Sequence, residues 1–305
     1  MHTKNFAILS ILAVVIVSGC TGTTSTSGVE FSQIAGVVIN DFSLDTDALF
    51  ENELTTLNIQ VQNVGAKAMT TSSQLWIYGP VMDGSTPQVW AVTAGSTSKT
   101  LDTVSFSPPD VARKIPGSLV VETLDLTAPS LGLAPGMSNP YTFYARVCYP
   151  YSTTTFSNIN EISKNEIRIS NPPTSDAITR ATAGPIQMKL LSGDTVLSGK
   201  KLTLVFEVSN VGGGFTTLPA GDCTAMNPDI NQKDTDKLRV MVTVDGQTTS
   251  CDGSKDVNIR QAKNVVCTYT SAAGTNPTTS HTVIATATYN YLITKEAYIT
   301  VKSEQ

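Results

Sequence analysis

The sequence predicts an all-β protein built from two tandem immunoglobulin-like β-sandwich domains, preceded by a signal or anchor helix. Three observations lead to this prediction. Only 15% of the 305 residues are charged, and short apolar runs alternate with turns rich in Thr, Ser, Asn, Gly and Pro, which is typical of many short strands. Matching segments recur in the two halves of the chain. An apolar segment that ends in a cysteine opens the sequence.

The first element is a signal segment at residues 1–20. Lys4 precedes an apolar run of 12 residues from Phe6 to Val17, and Ser-Gly-Cys20 follows. Such a run spans about 18 Å as a helix, which is short of a hydrocarbon core of about 30 Å. The sequence Val-Ser-Gly-Cys resembles a lipobox, which implies that Cys20 is lipidated and becomes the first residue of the mature chain. An ordinary signal peptide and an uncleaved anchor are the alternatives.

A tether rich in Ser and Thr follows at residues 21–30. This composition is typical of linkers that hold a folded body away from its attachment point. Together with lipid on Cys20, the tether predicts an extracytoplasmic protein anchored to the outer face of the cell membrane.

An internal repeat organises the rest of the chain. The alternating segment 54–65 reappears as 201–212, and both copies end in Asn-Val-Gly. Farther on, 143–151 matches 283–291 at a similar distance from the first landmark. Two matches in register indicate a duplicated domain.

The repeat sets the predicted domain boundaries. We place sandwich domain 1 at residues 31–171, a linker at 172–183 and sandwich domain 2 at 184–302. Each domain has enough chain for about seven short strands, the number typical of an immunoglobulin-like sandwich.

Within each copy, apolar residues recur at every second position, as in Leu57, Ile59 and Val61, which predicts a strand with one face in a core. Asp245-Gly246 predicts a tight turn between strands. Helix is expected only as a turn or two around Phe156, Ile159 and Ile162. Further strands are predicted at Leu75–Tyr78, Leu119–Val121, Ile167–Ile169, Val240–Val244, Val265–Cys267 and Ile299–Val301.

The strand ending in Asn-Val-Gly, followed by a strand pair and an alternating aromatic strand, resembles the CARDB-type immunoglobulin-like domains of bacterial and archaeal surface lipoproteins. Tyr149-Pro150-Tyr151 and Tyr289-Asn290-Tyr291 resemble archaeal secreted versions. The resemblance implies a fold and a cell-surface setting, and it carries over no catalytic residue. The chain departs from the family pattern by an insertion from Pro219 to Asp236 and by its added cysteines.

Four cysteines remain once Cys20 is set aside, in a compartment that permits disulfides. We predict a bond between Cys251 and Cys267, which would close a short loop. Pairing of Cys223 with Cys251 is the alternative. Cys148 lies in an alternating strand and is expected to be a small buried hydrophobic residue.

Residues suited to catalysis are scarce. Beyond the signal segment the sequence has one histidine, His281, so neither a zinc site of several imidazoles nor a triad with a nucleophile elbow is indicated. We therefore expect no enzyme, and we expect His281 on the surface beside a turn. A net charge of −5 without a basic run argues against nucleic acid as a partner.

Two weaker candidates for ligand sites remain. Trp76, Tyr78 and Trp90 could form an aromatic platform for sugar, although tryptophans near the middle strands of a sandwich commonly belong to the core. The insertion offers alternating oxygen ligands that could suit calcium, although their spacing departs from an EF-hand and a solvated acidic loop is the preferred explanation. No other cofactor is indicated. The calcium candidates are Asp229, Asn231, Asp234 and Asp236.

These features predict a lipid-anchored cell-surface module for binding, adhesion or structure, without catalysis, whose partner is a surface protein or glycan. One alternative is a subunit of an extracellular filament or coat, in which the segment 36–39 completes the sheet of a neighbouring copy. A second alternative is a solute-binding or accessory component of a surface enzyme or transport complex.

Overall fold

The computed structural model of the chain describes residues 30–69, 72–101, 106–170, 178–192, 195–197, 201–219, 223, 235–249, 251, 255–260, 264–270 and 278–304. Among these residues strands predominate and the only helix is α1 (Lys164–Ser170), which confirms the prediction of an all-β chain. The predicted signal segment lies outside the described residues. The strands are β1 (Val37–Leu44), β2 (Ala48–Phe50), β3 (Leu54–Asn63), β4 (Ser73–Tyr78), β5 (Ala91–Ala94), β6 (Ser98–Leu101), β7 (Leu119–Thr127), β8 (Ser138–Ile162), β9 (Thr179–Ala181), β10 (Ile186–Leu190), β11 (Thr195–Leu197), β12 (Lys201–Asn210), β13 (Phe215–Thr217), β14 (Lys237–Val244), β15 (Gln247–Thr248), β16 (Lys255–Asn258), β17 (Asn264–Thr270) and β18 (Thr278–Lys302).

The strands form three sheets. Sheet 1 has the order β1-β3-β7-β5, and sheet 2 has the order β10-β12-β17. The central sheet runs β15-β14-β18-β8-β4-β6, with β2 and β13 attached to β18, β9 and β11 attached to β8, and β16 attached to β14. Sheets 1 and 2 pack on the same face of the central sheet, so the molecule has the layered character of a β-sandwich.

The two longest strands run through the whole molecule. β8 and β18 have 25 residues each and pair antiparallel from end to end, with Ser138 opposite Lys302 and Ile162 opposite Thr278. At about 3.3 Å per residue, the pair is about 80 Å long. Its midpoint, which we call the waist, lies where Pro150 faces Asn290.

The two halves of the chain use equivalent pairings on either side of the waist. β3 lies between β1 and β7 in the first half, and β12 lies between β10 and β17 in the second. β4 pairs with β8 as β14 pairs with β18. The segments that repeat in sequence therefore occupy corresponding places in the structure.

Each half of the chain completes the sheet of the other. Residues 138–149 of β8 pair with 291–302 of β18, and we call the structure around them, with sheet 1, lobe 1. Residues 151–162 pair with 278–289 beside sheet 2, and this is lobe 2. The predicted linker does not separate two independent sheets, and part of it forms β9 against β8.

One hydrophobic cluster joins both lobes. In β3, Leu57, Ile59 and Val61 are fully buried and face the central sheet, as their alternation predicts. Leu204 and Phe206 of β12 are buried in the same way in lobe 2. Each such side chain contributes about 1.5–3 kcal/mol relative to exposure.

Two local predictions were wrong. The segment at Ile167–Ile169 is part of α1 and not a strand, because Ser163 accepts a hydrogen bond from the Glu166 N–H at 3.2 Å and begins a helix in a Ser-x-x-Glu arrangement. Phe156, Ile159 and Ile162 lie in β8 and not in a helix. Their spacing of three concealed a period of two, because the buried positions of this part of β8 include the polar residues Thr155, Ser157 and Glu161.

The tight turn at Asp245-Gly246 is confirmed. It joins β14 to β15, with Thr243 opposite Thr248 and Val244 opposite Gln247. Asp245 has φ +51 and Gly246 has φ +79. Positive φ at both central residues is the geometry of a two-residue hairpin loop.

Candidate functional site

A patch of aromatic and charged side chains lies on the outer face of the central sheet in lobe 1. Tyr78 and Tyr144 are partners across β4 and β8, and their rings stack with centroids 5.3 Å apart. The guanidinium of Arg146 lies 4.9 Å from the centre of the Tyr78 ring. Tyr298 is 64% exposed, and its hydroxyl donates a hydrogen bond to Glu296. We call these five residues the tyrosine patch.

Strand alternation places the patch on the outer face. Ala145 is fully buried on the face covered by sheet 1, so Tyr144 and Arg146 on either side of it point the opposite way. Across the β8–β18 pair, Tyr144 faces Glu296 and Arg146 faces Thr294. The patch is therefore a grid of side chains from three neighbouring strands, which lie about 4.8 Å apart.

Arg146 is held by neutral neighbours. Its Nε donates to the Thr294 hydroxyl at 3.2 Å, and its guanidinium also lies 5.6 Å from the centre of the Phe215 ring. Within the described part of the chain it makes no ion pair with a carboxylate. A guanidinium has five N–H donors, so Arg146 keeps hydrogen-bonding capacity for a ligand.

The structure brings together two of the three aromatic residues predicted as a sugar platform. Trp76 and Tyr78 lie on the outer face of β4, with Trp76 only 7% exposed. Trp90 is not part of that face. It lies in the core of lobe 1, with its ring edge-on to Tyr141 at 5.4 Å and to Phe143 at 5.2 Å. Apolar and aromatic neighbours hold it inside the sandwich.

Two disulfides are present. Cys251 is bonded to Cys267, the pairing that the sequence favoured, and the bond closes a separation of 16 residues. Cys223 is bonded to Cys148 and not to Cys251. Cys148 is buried as expected but is not a free thiol, because the chain after β13 crosses the outer face and places Cys223 against it.

The calcium hypothesis rests mainly on residues outside the described ranges, since Asp229, Asn231 and Asp234 lie there. Asp236 is described and is nearly buried, and its carboxylate forms an ion pair with Arg260. The described residues contain no group of three or more His, Cys, Asp or Glu side chains that could hold a metal ion.

The histidine is buried between two carboxylates. His281 is 7% exposed, which overturns the expectation of a surface residue. Its Nδ1 lies 2.6 Å from the Asp245 carboxylate, and its Nε2 lies 2.8 Å from the carboxylate of the buried Glu161. Asp245 also accepts a hydrogen bond from the Thr282 N–H at 2.8 Å. These contacts clamp the β14–β15 turn to the end of β8.

The clamp favours the charged form of the imidazole. Burial lowers the pKa of His281, but hydrogen bonds and charge interactions with Asp245 and Glu161 outweigh this effect and raise the pKa above its ordinary value. Burial raises the pKa of Asp245, but the hydrogen bonds from His281 and the Thr282 N–H lower it overall. Both ring nitrogens are engaged, which suits a structural bridge better than proton transfer to a substrate.

Four tyrosines pack together at the waist, on the face opposite the patch. Tyr149 lies 5.8 Å from Tyr291, and Tyr151 lies 6.3 Å from Tyr289, between ring centroids. The Tyr149 hydroxyl accepts a hydrogen bond from the Val37 N–H at 3.3 Å. Burial raises the pKa of Tyr149 and of Tyr289 well above the ordinary value, so both remain neutral phenols.

The chain enters the described structure over this cluster. The Ser32 N–H donates to the Val64 carbonyl at 2.7 Å, and the Gly184 N–H donates to the Gln33 carbonyl at 3.2 Å. Gly36 packs so closely on Tyr149 that an added Cβ would lie 2.7 Å from the ring. The N-terminal segment is thus fixed at the waist, on the side of sheets 1 and 2.

A pocket of about 370 Å³ opens beside the patch. Its lining includes Pro80, Val81, Trp90, Pro140 and Tyr141. These side chains are mainly apolar, and they do not supply the convergent polar groups typical of a small-solute site.

Sequence reasoning identified only Tyr78 of the five patch residues. Tyr144, Arg146, Glu296 and Tyr298 lie on β8 and β18, which are about 150 residues apart in sequence. Period-two alternation could have placed Tyr144 and Arg146 on one face of β8, and Glu296 and Tyr298 on one face of β18. Only the register between the two strands places them together.

No family model matches the sequence, and no curated protein matches it. Among solved structures, the chain has a similarity to the Enterococcus faecalis MSCRAMM ACE, with 9% identity over 90% of this chain and 97% of that chain and a TM-score of 0.15. A score of this size supports no argument about fold or function. Within the described residues, no helix has the length and apolar character needed to cross a membrane.

Proposed function

We propose that this protein is a non-catalytic binding module of the cell surface, tethered to the membrane through its N-terminus, with the tyrosine patch as its contact surface. The observation that carries the proposal is that the N-terminal segment and the tyrosine patch lie on opposite faces of the central sheet. The N-terminal segment reaches the waist on the side of sheets 1 and 2, whereas the patch lies on the opposite side of the central sheet.

This arrangement supports an orientation at the membrane. If Cys20 carries lipid, residues 21–29 can span at most about 30 Å when fully extended. Each lobe reaches about 40 Å from the waist, half the length of the β8–β18 pair. The attachment point is thus in the middle of the molecule and not at one end. Sheets 1 and 2 would face the membrane, and the patch would face outward.

The strand order supports an immunoglobulin-like fold with exchanged strands. Sheet 1, in the order β1-β3-β7-β5, corresponds to the strand order A-B-E-D, and β4 with the first half of β8 corresponds to C and F. The last strand, G, is then residues 291–302 from the other repeat. Lobe 2 receives 151–162 in return. We infer that the tandem domains are joined rigidly, because each supplies the final strand of the other.

The chemistry of the described residues supports binding and not catalysis. Both nitrogens of His281 contact carboxylates, and the four cysteines beyond Cys20 are in disulfides. The patch offers aromatic rings, hydroxyls and a guanidinium, which are groups that recognise a partner by contact.

The filament alternative receives less support. The segment 36–39, expected to complete a neighbour's sheet, contributes to β1 and pairs with β3 of its own chain. Val37 is 1% exposed, and its N–H is bonded to Tyr149. Donation of this strand to another copy would first expose the waist.

The proposal is tested with the full-length protein purified from membranes in detergent. Its binding to isolated envelopes of the producing cells is compared with that of an Arg146→Gln, Tyr298→Ala double variant. We expect saturable binding by the wild type and at least tenfold weaker binding by the variant, since each side chain contributes about 1 kcal/mol or more at a contact surface. Equal binding by both proteins would remove the patch from the proposed function.

A further inference from the structure

We propose that the ligand of the tyrosine patch is a carbohydrate chain of the cell envelope, an inference that rests on the proposed function and names the partner of that surface. The fold does not require these side chains, their chemistry suits a polyhydroxylated ligand, and their layout matches an extended one.

The internal symmetry of the molecule shows that the fold does not require a patch. Lobe 2 has the same strand pairings, so each patch residue has an equivalent position there. None of the five equivalents is tyrosine or arginine. In the order Tyr78, Tyr144, Arg146, Glu296 and Tyr298, the equivalents are Thr243, Ile284, Thr286, Phe156 and Asn158. Because a sheet of the same pairing forms with these residues, strand pairing does not require three tyrosines and an arginine on lobe 1.

The patch combines aromatic surface with polar groups at every position. All three rings carry hydroxyls, and Arg146 and Glu296 lie beside them as a hydrogen-bond donor and an acceptor. Tyr and Arg are enriched at protein–protein interfaces as well, but Glu is depleted there, and the patch holds Glu296 beside Tyr298. A sugar presents C–H faces and hydroxyls together, so rings and polar groups can be satisfied by the same ligand.

The layout of the patch is flat and elongated. Its residues come from three adjacent strands about 4.8 Å apart, and the two residues on β8, like the two on β18, are about 7 Å from one another. Thr142, which faces Tyr298 across the sheet, also lines the pocket bounded by Pro80 and Pro140. The surface thus continues from the exposed rings to the pocket, as suits a chain of several sugar units better than a single small solute.

The test uses full-length protein and isolated envelopes of the producing cells as the probe. One sample of envelopes is left intact, a second is digested with protease, and a third is digested and then oxidised with periodate, which cleaves vicinal diols. We expect binding to the first two samples and loss of binding to the third.

Matched variants assign the result to the patch. Tyr298→Ala removes a ring that is 64% exposed, so folding should be unaffected, and we expect about tenfold weaker binding to digested envelopes. Phe156→Ala is the control, because it removes an exposed aromatic ring from the same face of the same sheet in lobe 2. It should bind as the wild type does.

The outcomes separate the two proposals. Binding that depends on Tyr298 but disappears after protease digestion would overturn the carbohydrate inference and leave the proposed function standing with a protein partner. Binding that resists both treatments would also overturn the inference. Binding to intact envelopes that is equal in the wild type and in Tyr298→Ala and Arg146→Gln would overturn both proposals.

Discussion

His281 shows how one side chain can join elements that are distant in sequence. It lies on β18, and its carboxylate partners come from the β14–β15 turn and from the end of β8. The ring of Tyr269 lies edge-on to the imidazole, with the ring centroids 6.2 Å apart. A charged imidazole between two carboxylates makes stronger hydrogen bonds than a neutral one, so the clamp depends on pH.

The direction of the pH dependence follows from the pKa shifts of His281 and Asp245. The pKa of His281 is raised in the folded state, so its contribution to stability is complete below the unfolded value of about 6.5 and is lost as the pH rises through the folded value. The pKa of Asp245 is lowered, so its contribution is present above about 3.9 and is lost at lower pH. The clamp should be strongest between about pH 4 and pH 6.5.

We expect His281→Gln to lower the free energy of unfolding by about 1–3 kcal/mol at pH 5.5, the range for hydrogen bonds to charged groups. The loss should shrink toward pH 9, where the wild-type imidazole becomes neutral. Urea unfolding at the two pH values measures the difference. Asp256→Asn is the control, because its pair with Arg239 is exposed and its loss should change the free energy of unfolding little at either pH. A wild-type advantage that grows toward pH 9 would contradict this account.

The long strands β8 and β18 explain which parts of the fold the sequence could predict. Period-two patterns in β3 and β12 depend only on neighbouring residues, so the strands and the repeat were visible. Whether the chain turns back at Tyr149-Pro150-Tyr151 or continues into the other lobe is not a local property. The segment lacks the Asn-Gly or Asp-Gly of a tight hairpin, and this was the one available sign of a continuous strand.

Pro150 fits the same element because of where it lies. It falls between Cys148, the last β8 residue paired with β4, and Thr155, the first paired with β9. Among the residues that the structure describes, none pairs with β8 on that side between these two positions. A proline, which lacks an N–H donor, is tolerated where a strand edge is unpaired. The sequence does not specify the register between β8 and β18. It therefore could not predict the tyrosine patch, because that register places Tyr144 beside Glu296.

The disulfides differ in the elements that they join. Cys148–Cys223 ties the segment after β13 to the outer face across 75 residues, whereas Cys251–Cys267 closes 16 residues. Loop-closure entropy predicts that the first bond stabilises the folded state by about 4.5 kcal/mol and the second by about 3 kcal/mol. We expect the Cys148→Ala, Cys223→Ala variant to lose about 1 kcal/mol more than the Cys251→Ala, Cys267→Ala variant in urea unfolding. The reverse order would show that the first segment is held mainly by other contacts.

At the scale of the whole molecule, the two repeats share one continuous pair of strands, which predicts that they unfold together. Lobe 1 takes residues 291–302 from the second half of the chain, and lobe 2 takes 151–162 from the first. The four tyrosines at the waist are buried where both strands pass from one lobe into the other. A partner bound at the patch would therefore pull on a continuous pair of strands and not on a hinge between domains.

We expect neither half of the chain to fold alone. A fragment of residues 30–170 would leave its β8 without the β18 partner, exposing a long strand edge and the buried side chains beside it. A fragment of residues 178–304 would leave its β18 without the β8 partner. Circular dichroism and urea unfolding of each fragment should show no cooperative transition, and the intact chain should show a single one.

Co-expression of the two fragments tests whether the β8–β18 pairing is sufficient to restore the fold. The halves should associate and recover the circular dichroism spectrum of the intact chain, because the β8–β18 pairing needs both strands but no covalent link between them. A mixture of Cys148→Ala and Cys223→Ala fragments controls for capture by the disulfide that joins the halves. If each fragment instead unfolds cooperatively as a monomer, the lobes are independent domains and the continuous pairing does not determine their stability.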